Sequence, residues 1–288
     1  MRTLPARLSS PRRVRVPRAL RSPVALVGAV LVMLSVLTAV FAPWLAPHLP
    51  NQSYFEAIQQ PPSWQFPFGT DALGRCVLSR VIYGARISLS VAGAAVLIGL
   101  TIGTSLGLLA GFFGGWLDTV LMRATDVMLA FPEILLTIAI VAILGPALQN
   151  TVIAVGLASV PVYARTIRSA VLQVRQLDFI QAATALGQTD GRILLRHVLP
   201  NILSPVIVIA TVNVGIAILI TAGLSYVGLG AQPPTPEWGA MLSESRAYIE
   251  NGWWMATFPG LAITVLVIAF NLIGDALRDV LDPRQRQN

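Results

Sequence analysis

Six long apolar segments constrain the possible folds of this chain more than any other feature of its sequence. A helix that crosses the hydrocarbon core of a membrane needs ~20 predominantly apolar residues. The six candidate spans cover residues 24–42, 87–111, 119–144, 151–164, 202–229 and 256–273. Of the 288 residues, 55% are hydrophobic and only 11% are charged, whereas about 25% are charged in ordinary soluble domains. The sequence therefore predicts an all-α, polytopic membrane protein with six transmembrane helices.

The arginines indicate how the predicted spans are oriented. All 20 basic residues are Arg, and seven of them lie within the first 21 residues. In the six-span prediction, sixteen arginines lie on the same side of the membrane as the N-terminus, and four lie on the other side. The positive-inside rule therefore places both termini in the cytoplasm. The prediction gives cytoplasmic tails at 1–23 and 276–288, an external loop at 43–86 and a five-helix core at 87–275. We expect the Arg-rich tail to contact anionic lipid rather than nucleic acid.

Several kinds of chemistry are excluded by residues that the sequence lacks. It contains no Lys, and a Walker A phosphate-binding loop requires one, so ATP-driven work must be powered by another polypeptide. A single Cys, Cys76, excludes an internal disulfide. With only His48 and His197 beside that Cys, we expect no metal site and no cofactor. The acidic residues are scattered, and we identify no catalytic residues.

The polar loop at 165–200 is the most informative segment. Asp178 is expected to cap a helix, with Gln181 at the third position of a capping box. Phe179, Ala182, Ala183 and Leu186 fall at i, i+3, i+4 and i+7 and predict one apolar stripe. Gly187 follows as a helix terminator.

A second short helix is predicted to begin near Asp190 and to end at Pro200, so that two short helices form a rigid unit on the cytoplasmic face. The small alanines on the first helix would let the backbone of a protein partner approach closely. The alternative is a helix that lies on the lipid surface, although such helices usually carry bulky anchors and many basic residues.

The loop resembles a known motif. QAATALG at 181–187, Ile193 and LPN at 199–201 are similar to the EAA loop of the permeases of ABC importers. In that family the loop forms the coupling helices that bind the ATPase subunits, and the permeases have the type I importer fold. Gln181 stands where the family usually has Glu. The resemblance assigns the following residues to the coupling loop: Asp178, Gln181, Ala182, Ala183, Leu186, Gly187, Ile193 and Pro200.

Three further segments resemble the C-type permeases of dipeptide, oligopeptide and nickel importers. They are FGTDALGRCVLSRVIYGARISL at 68–89, in which Cys76 replaces the usual Asp, TPEWGAML at 235–242 and GDALRDVLDPR at 274–284. The resemblance implies a homologous B-type permease, two ATPase subunits and an external solute-binding protein as partners. It also implies transport of peptides or a related small solute by alternating access, without catalysis by this chain.

A few polar residues are candidates for individual roles. Glu133 and Asn213 lie within predicted spans and are candidates for the translocation path, although an interhelical hydrogen bond is the favoured role for Asn213. We expect Arg123 and Asp126 to pair with each other. In the external loop we predict that Glu237 and Trp238 contact a partner.

Two other functional classes remain open at this point. A secondary carrier or channel would transport its solute without ATP, and it gives no reason for the small-residue helix in the loop. A membrane enzyme would need a cluster of catalytic side chains, which the sequence does not suggest.

Overall fold

A computed structural model describes residues 23–281, so most of the predicted Arg-rich tail and the last residues of the second tail lie outside the described residues. The described part is helical, and its only β-type pairs are two isolated bridges. The helices are α1 (Pro23–Val40), α2 (Ala42–Leu45), α3 (Val77–Phe113), α4 (Gly115–Leu129), α5 (Glu133–Leu144), α6 (Leu148–Arg175), α7 (Asp178–Ala185), α8 (Asp190–Ile193), α9 (Leu199–Tyr226), α10 (Trp238–Ser245) and α11 (Trp253–Leu281).

Helices α3 and α6 share the most extensive contact between two helices in residues 23–281, and glycines line that contact. Gly99, Gly103, Gly107 and Gly111 recur every fourth residue and so share one face of α3. A Cβ at Gly103 would lie 2.4 Å from the Cβ of Tyr163, and one at Gly107 would lie 2.6 Å from the carbonyl oxygen of Ala164. Small residues let two backbones approach in this way where lipid supplies no hydrophobic driving force.

The remaining long helices pack around this pair. Helix α9 lies against α3, α6 and α11, and α1 packs on α11 and α3. Gly28 allows α1 to approach closely, since a Cβ there would lie 2.8 Å from the Cβ of Leu272. Most of the large apolar side chains of α1 are exposed, as expected for a helix that faces lipid.

Two groups of shorter elements lie at opposite ends of α3. We call the α7 end the group formed by α7, α8 and the last turn of α3 at Phe113. We call the α10 end the group formed by residues 46–76, the first turns of α3 at Val77, and α10.

Several predicted boundaries differ from the structure. Helix α3 begins at Val77 rather than at residue 87, so part of the predicted loop at 43–86 is helical. The predicted third span is two helices, α4 and α5, that meet at an angle of 92°. Pro132 lies directly before α5, and its ring disfavours a helical conformation of the residue before it, which explains the break.

By length and composition, four helical segments could cross a membrane, or five if α4 and α5 count as one bent span. The predicted fourth span lies in α6, which is not among them. Helix α6 carries Gly, Ser, Asn and Arg, and a large share of its residues are buried within the bundle.

The prediction that Pro200 ends the second short helix is wrong. The segment from Asp190 to Tyr226 is one helical run, with a π-helical turn at Leu194–Val198. Pro200 lies in the first turn of α9, and the amide of Leu199 bonds to the carbonyl of Leu194, five residues back. A π turn of this kind shifts the hydrogen-bond pattern just before the residue that cannot donate.

Candidate functional site: the α7 end, the polar cavity and the α10 end

Helix α7 begins without the predicted side-chain cap. Leu177 is the residue before the helix and has an extended backbone, and Asp178 is the first helical residue. The side-chain amide of Gln181 donates to the carbonyl of Gln176 at 3.4 Å instead of completing a capping box. Asp178 still carries its charge in the first turn, where a negative charge is favourable to the helix dipole.

The other end of α7 is closed as predicted. Gly187 has a φ of +73°, a conformation that strongly favours glycine. The amide of Gly187 donates to Thr184 at 3.0 Å, and the amide of Gln188 donates to Ala183 at 3.2 Å. These two bonds form a Schellman motif, which confirms Gly187 as the terminator.

The predicted apolar stripe of α7 is divided between two faces. Ala183 is buried together with Ile180, in a cluster that includes Ile167 of α6 and Val198. The other stripe residues, Phe179, Ala182 and Leu186, are exposed.

The expectation that Ala183 meets a partner is therefore wrong. The predicted stripe did not include Ile180. Ile180 is buried beside Ala183, and the two residues fix the helix to the bundle. We call the exposed residues Phe179, Ala182 and Leu186 the α7 face.

The α7 end shares one apolar cluster with α9. Ile193 and Ile202 are nearly fully buried and belong to the same cluster as Ile180 and Ala183. The His197 ring Nε2 lies 3.1 Å from the side-chain oxygen of Gln188, which joins the link after α7 to the π turn. A force on the α7 face would reach α9 through this packing and through the continuous helix.

A groove borders the α7 face and runs between α7 and the last turn of α3. Apolar and polar side chains both line it, and they include Phe113, Arg175, Gln181, Thr184, Ala185 and Asp190. Phe113 is half exposed, and Gln181, at the first position of the EAA-like motif, is accessible there.

The two predicted path residues meet in one cavity. Glu133 at the start of α5 and Asn213 in the middle of α9 both line it. Ser159 and Tyr163 of α6 complete its polar lining, and the other lining residues are apolar. Sequence reasoning missed the two α6 residues, although their position near Pro161 in a predicted span was a usable signal.

The predicted pair between Arg123 and Asp126 is wrong. Asp126 instead accepts a hydrogen bond from Arg165 of α6 at 2.6 Å. About two turns earlier on α4, Asp118 accepts two bonds from Arg168, at 2.5 and 2.6 Å. Both pairs tie α4 to α6, because α4 presents its acidic residues toward the end of α6 that carries arginines.

Glu237 and Trp238, which were predicted to contact a partner, are both buried within this chain at the start of α10. The Glu237 carboxylate caps α10 by accepting from the amide of Ala240 at 2.9 Å. The Trp238 ring donates to the carbonyl of Val81 at 3.0 Å and lies against Gly84. Burial raises the pKa of Glu237 above its usual range, against the lowering effect of hydrogen bonds from two backbone amides and two serines.

An ion-pair cluster that the sequence did not reveal holds the α10 end together. Arg75 bonds to Asp71 at 2.6 Å and to Glu244 at 2.7 Å. Arg80, which is only 1% exposed, bonds to Glu244 at 3.0 Å and lies 3.6 Å from Asp71. The two arginines and two acids thus join the loop before α3, the start of α3 and α10.

These features together define a class of protein: a polytopic helical membrane protein whose core ends in a unit of short helices packed onto the bundle. Solved structures agree on the fold. The chain resembles a structure titled "Inward facing conformations of the MetNI methionine ABC transporter", with a TM-score of 0.59 and 21% identity, over 70% of this chain and 97% of the other.

Sequence comparisons show the family. Residues 103–287 match the family described as "Binding-protein-dependent transport system inner membrane component". Residues 10–62 match the "N-terminal TM domain of oligopeptide transport permease C". The chain belongs to this family of ABC importer permeases, as the EAA-like loop predicted.

Two relatives illustrate the similarity. The dipeptide transport system permease protein DppC of Alkalihalophilus pseudofirmus is 49% identical over 89% of this chain and 84% of its own length. The glutathione transport system permease protein GsiD of Escherichia coli is 48% identical over 89% of this chain and 85% of its own length.

Proposed function

We propose that this chain carries peptides, such as di- or oligopeptides, or a related small solute across the cytoplasmic membrane. The relatives named for dipeptide and glutathione transport support this solute class. Both solutes carry a peptide-type backbone with free amino and carboxyl groups, so the shared chemistry is that of a short, zwitterionic, extended molecule.

The α7 face is the surface that binds the ATPase subunit in this proposal. The supporting observation is that α7 is buried on one face and exposed on the other. Ile180 and Ala183 pack against the bundle. The exposed apolar residues are Phe179, Ala182 and Leu186. Exposed apolar side chains on a rigid element are typical of a protein interface. The continuous helix from Asp190 to Tyr226 would carry motion of the ATPase into the membrane.

The complete transporter contains this chain, a homologous B-type permease, two ATPase subunits and an external binding protein. The exposed apolar surface of α5 beside the polar cavity, which includes Ile134, Leu135 and Ile143, is a surface that the second permease can cover. The α7 end is then cytoplasmic, the α10 end is external, and both chain termini are cytoplasmic.

The translocation path runs along the cavity that Glu133 and Asn213 line. Polar residues inside membrane helices mark solute pathways, because each is costly to keep in lipid without a function or a partner. That cavity lies where α3, α5, α6 and α9 converge, close to the apolar α5 surface.

The test is affinity purification of the tagged chain in mild detergent, with mass spectrometry of its partners. We expect a second permease and ATPases with the wild type, and loss of the ATPases alone in Ala182→Arg. Ala247→Arg is the matched control, because Ala247 is also exposed but lies at the α10 end. Retention of the ATPases by Ala182→Arg would contradict the α7 face as their binding surface.

The same preparation distinguishes the importer from a secondary carrier. ATP-dependent uptake of alanyl-alanine or glutathione into vesicles, with the binding protein present, is expected only for the complete complex. Uptake by the chain alone without ATP would instead favour a carrier.

A further inference from the structure

Glu133 is a carboxylate without a partner inside the bundle. It lies at the start of α5 and is half-buried. Within residues 23–281 no ion pair or hydrogen bond engages its side chain, whereas the acids of α4 are both paired with arginines. An unpaired carboxylate costs free energy in an apolar span, so a cationic group that reaches it from outside the chain would be bound favourably.

The surroundings of Glu133 offer further hydrogen-bond acceptors. The Tyr163 side chain is fully buried beside Asn213, and its hydroxyl oxygen is able to accept a hydrogen bond. The Ser159 hydroxyl donates to the carbonyl of Gly156 at 2.8 Å, which leaves its oxygen free to accept. Asn213 is buried and adds an amide oxygen to the same cavity.

The chemistry of these groups selects the kind of cation. A primary ammonium is compact and has three donors and no acceptor, whereas a guanidinium is a wide planar fork with five donors. The cavity has about 10 Å³ for the centres of water-sized groups, which is enough for roughly one water molecule. A group of that size, such as an ammonium, fits the cavity, and a guanidinium does not.

We infer that the cavity formed by Glu133, Ser159, Tyr163 and Asn213 binds the primary ammonium group of the solute during its passage. The inference rests on the proposed function, since it requires that this cavity open onto the translocation path. It names a recognition element within the permease: Glu133 supplies the charge, and the neutral oxygens orient the three donors.

The experiment measures equilibrium binding to the complete transporter in nanodiscs, without nucleotide and without the binding protein. The probes are radiolabelled alanyl-alanine and glutathione, each compared with its N-acetylated form, which lacks the ammonium. The variants are Glu133→Gln and, as a matched control, Glu250→Gln, because Glu250 is exposed at the other end of the bundle.

We expect the wild type to bind at least one free-amine probe about 10-fold more tightly than its acetylated form, as a lost charged hydrogen bond predicts. Glu133→Gln is expected to weaken binding of the free-amine probe by about 10-fold and to leave binding of the acetylated probe within about twofold. Glu250→Gln is expected to change neither.

Three results would overturn the inference. The first is an equal loss of binding of the free-amine and acetylated probes in Glu133→Gln, which would place the carboxylate against the partner permease or in a structural role. The second is a wild type that does not prefer the free-amine probe. The third is a wild type that binds neither probe. ATP-dependent uptake measured in parallel with the binding protein present tests the proposed function separately. Normal uptake of peptides without an amine preference would refute the ammonium site alone.

Discussion

The two ends of the bundle are stabilised by different interactions. At the α10 end, buried charges hold the elements together: Arg75 and Arg80 join Asp71 to Glu244. At the α7 end, apolar packing around Ile180 and a Schellman motif do the same work.

The residues that stay exposed to a partner therefore differ between the two ends. In the sequence, the charged and aromatic residues of the α10 end look like residues that contact a partner. In the structure, they form hydrogen bonds and ion pairs within this chain. The small apolar residues of the α7 end look like core residues, yet three of the four stripe residues are exposed. Substitutions in the charged contacts of the α10 end should change stability. At the α7 end, substitutions on the buried and exposed faces should separate stability from partner binding.

The largest expected effect is at Arg80. Replacing Arg80 with Ala removes a buried guanidinium and leaves Glu244 and Asp71 with one arginine between them. Breaking a buried pair from one side costs about 3–5 kcal/mol. The free energy of unfolding in detergent, measured by titration with a denaturing surfactant, should fall by that amount.

Arg86 provides the control for this prediction. It lies less than two turns further along α3 but is exposed, so Arg86→Ala should change the free energy of unfolding by less than about 0.5 kcal/mol. Equal effects of the two substitutions would show that the cluster at the α10 end contributes no particular stability.

The next prediction separates the two faces of α7. Ala183→Arg forces a charge into the cluster around Ile180 and should lower the free energy of unfolding by about 3 kcal/mol. Ala182→Arg, one residue away on the α7 face, should change it by less than about 0.5 kcal/mol while it abolishes ATP-dependent uptake. Two variants with the same stability loss would contradict the division of the stripe.

A smaller effect is expected at Gly187. Its φ of +73° costs a residue with a Cβ about 1 kcal/mol, and a Cβ there would meet no other atom within 4 Å. Gly187→Ala should therefore lower the free energy of unfolding by about 1 kcal/mol, and Gly187→Asn by less, because Asn tolerates this conformation better. An unchanged stability in Gly187→Ala would show that the end of α7 unwinds without consequence.

Much of the fold follows from the sequence because membrane helices are long and strongly apolar. Five of the six predicted segments overlap helices that satisfy the length and composition test, counting α4 and α5 as one bent span. The apolar pattern continues across Pro132, so it did not show that the third span divides there into two helices at 92°. The end of α7 was predicted because Gly187 is a local signal, read without knowledge of any distant residue.

The parts of the site that sequence reasoning missed depend on contacts between distant segments. The cluster at the α10 end joins Arg75 to Glu244, which are far apart in sequence, and the cavity joins α5, α6 and α9. Glu133 and Asn213 were each predicted as path residues from their polarity alone. Glu133 and Asn213 line one cavity with Tyr163 because α6 packs onto α3. Glycines of α3 determine that packing, and the sequence alone does not show which residues of α6 they contact.

A weak pH dependence is expected at Glu237, a buried acid at the start of α10 that has no ion pair in the described part of the chain. Burial raises its pKa, whereas in the unfolded chain a Glu has a pKa of about 4.3. The folded state therefore holds this proton more tightly, and the stability that Glu237 contributes is fully present below about pH 4 and is lost as the pH rises through the raised pKa of the folded state.

Glu237→Gln keeps an oxygen to accept from Ala240 and does not titrate. Relative to this variant, the wild type should lose stability as the pH rises above about 4, and the loss should be small because the ionised carboxylate keeps its bonds to two amides. Thermal unfolding of both proteins across this range measures the difference. A wild type that gains stability relative to Glu237→Gln as the pH rises would mean that the hydrogen bonds outweigh burial, so that this buried charge, like those of the ion-pair cluster, is stabilised by its surroundings.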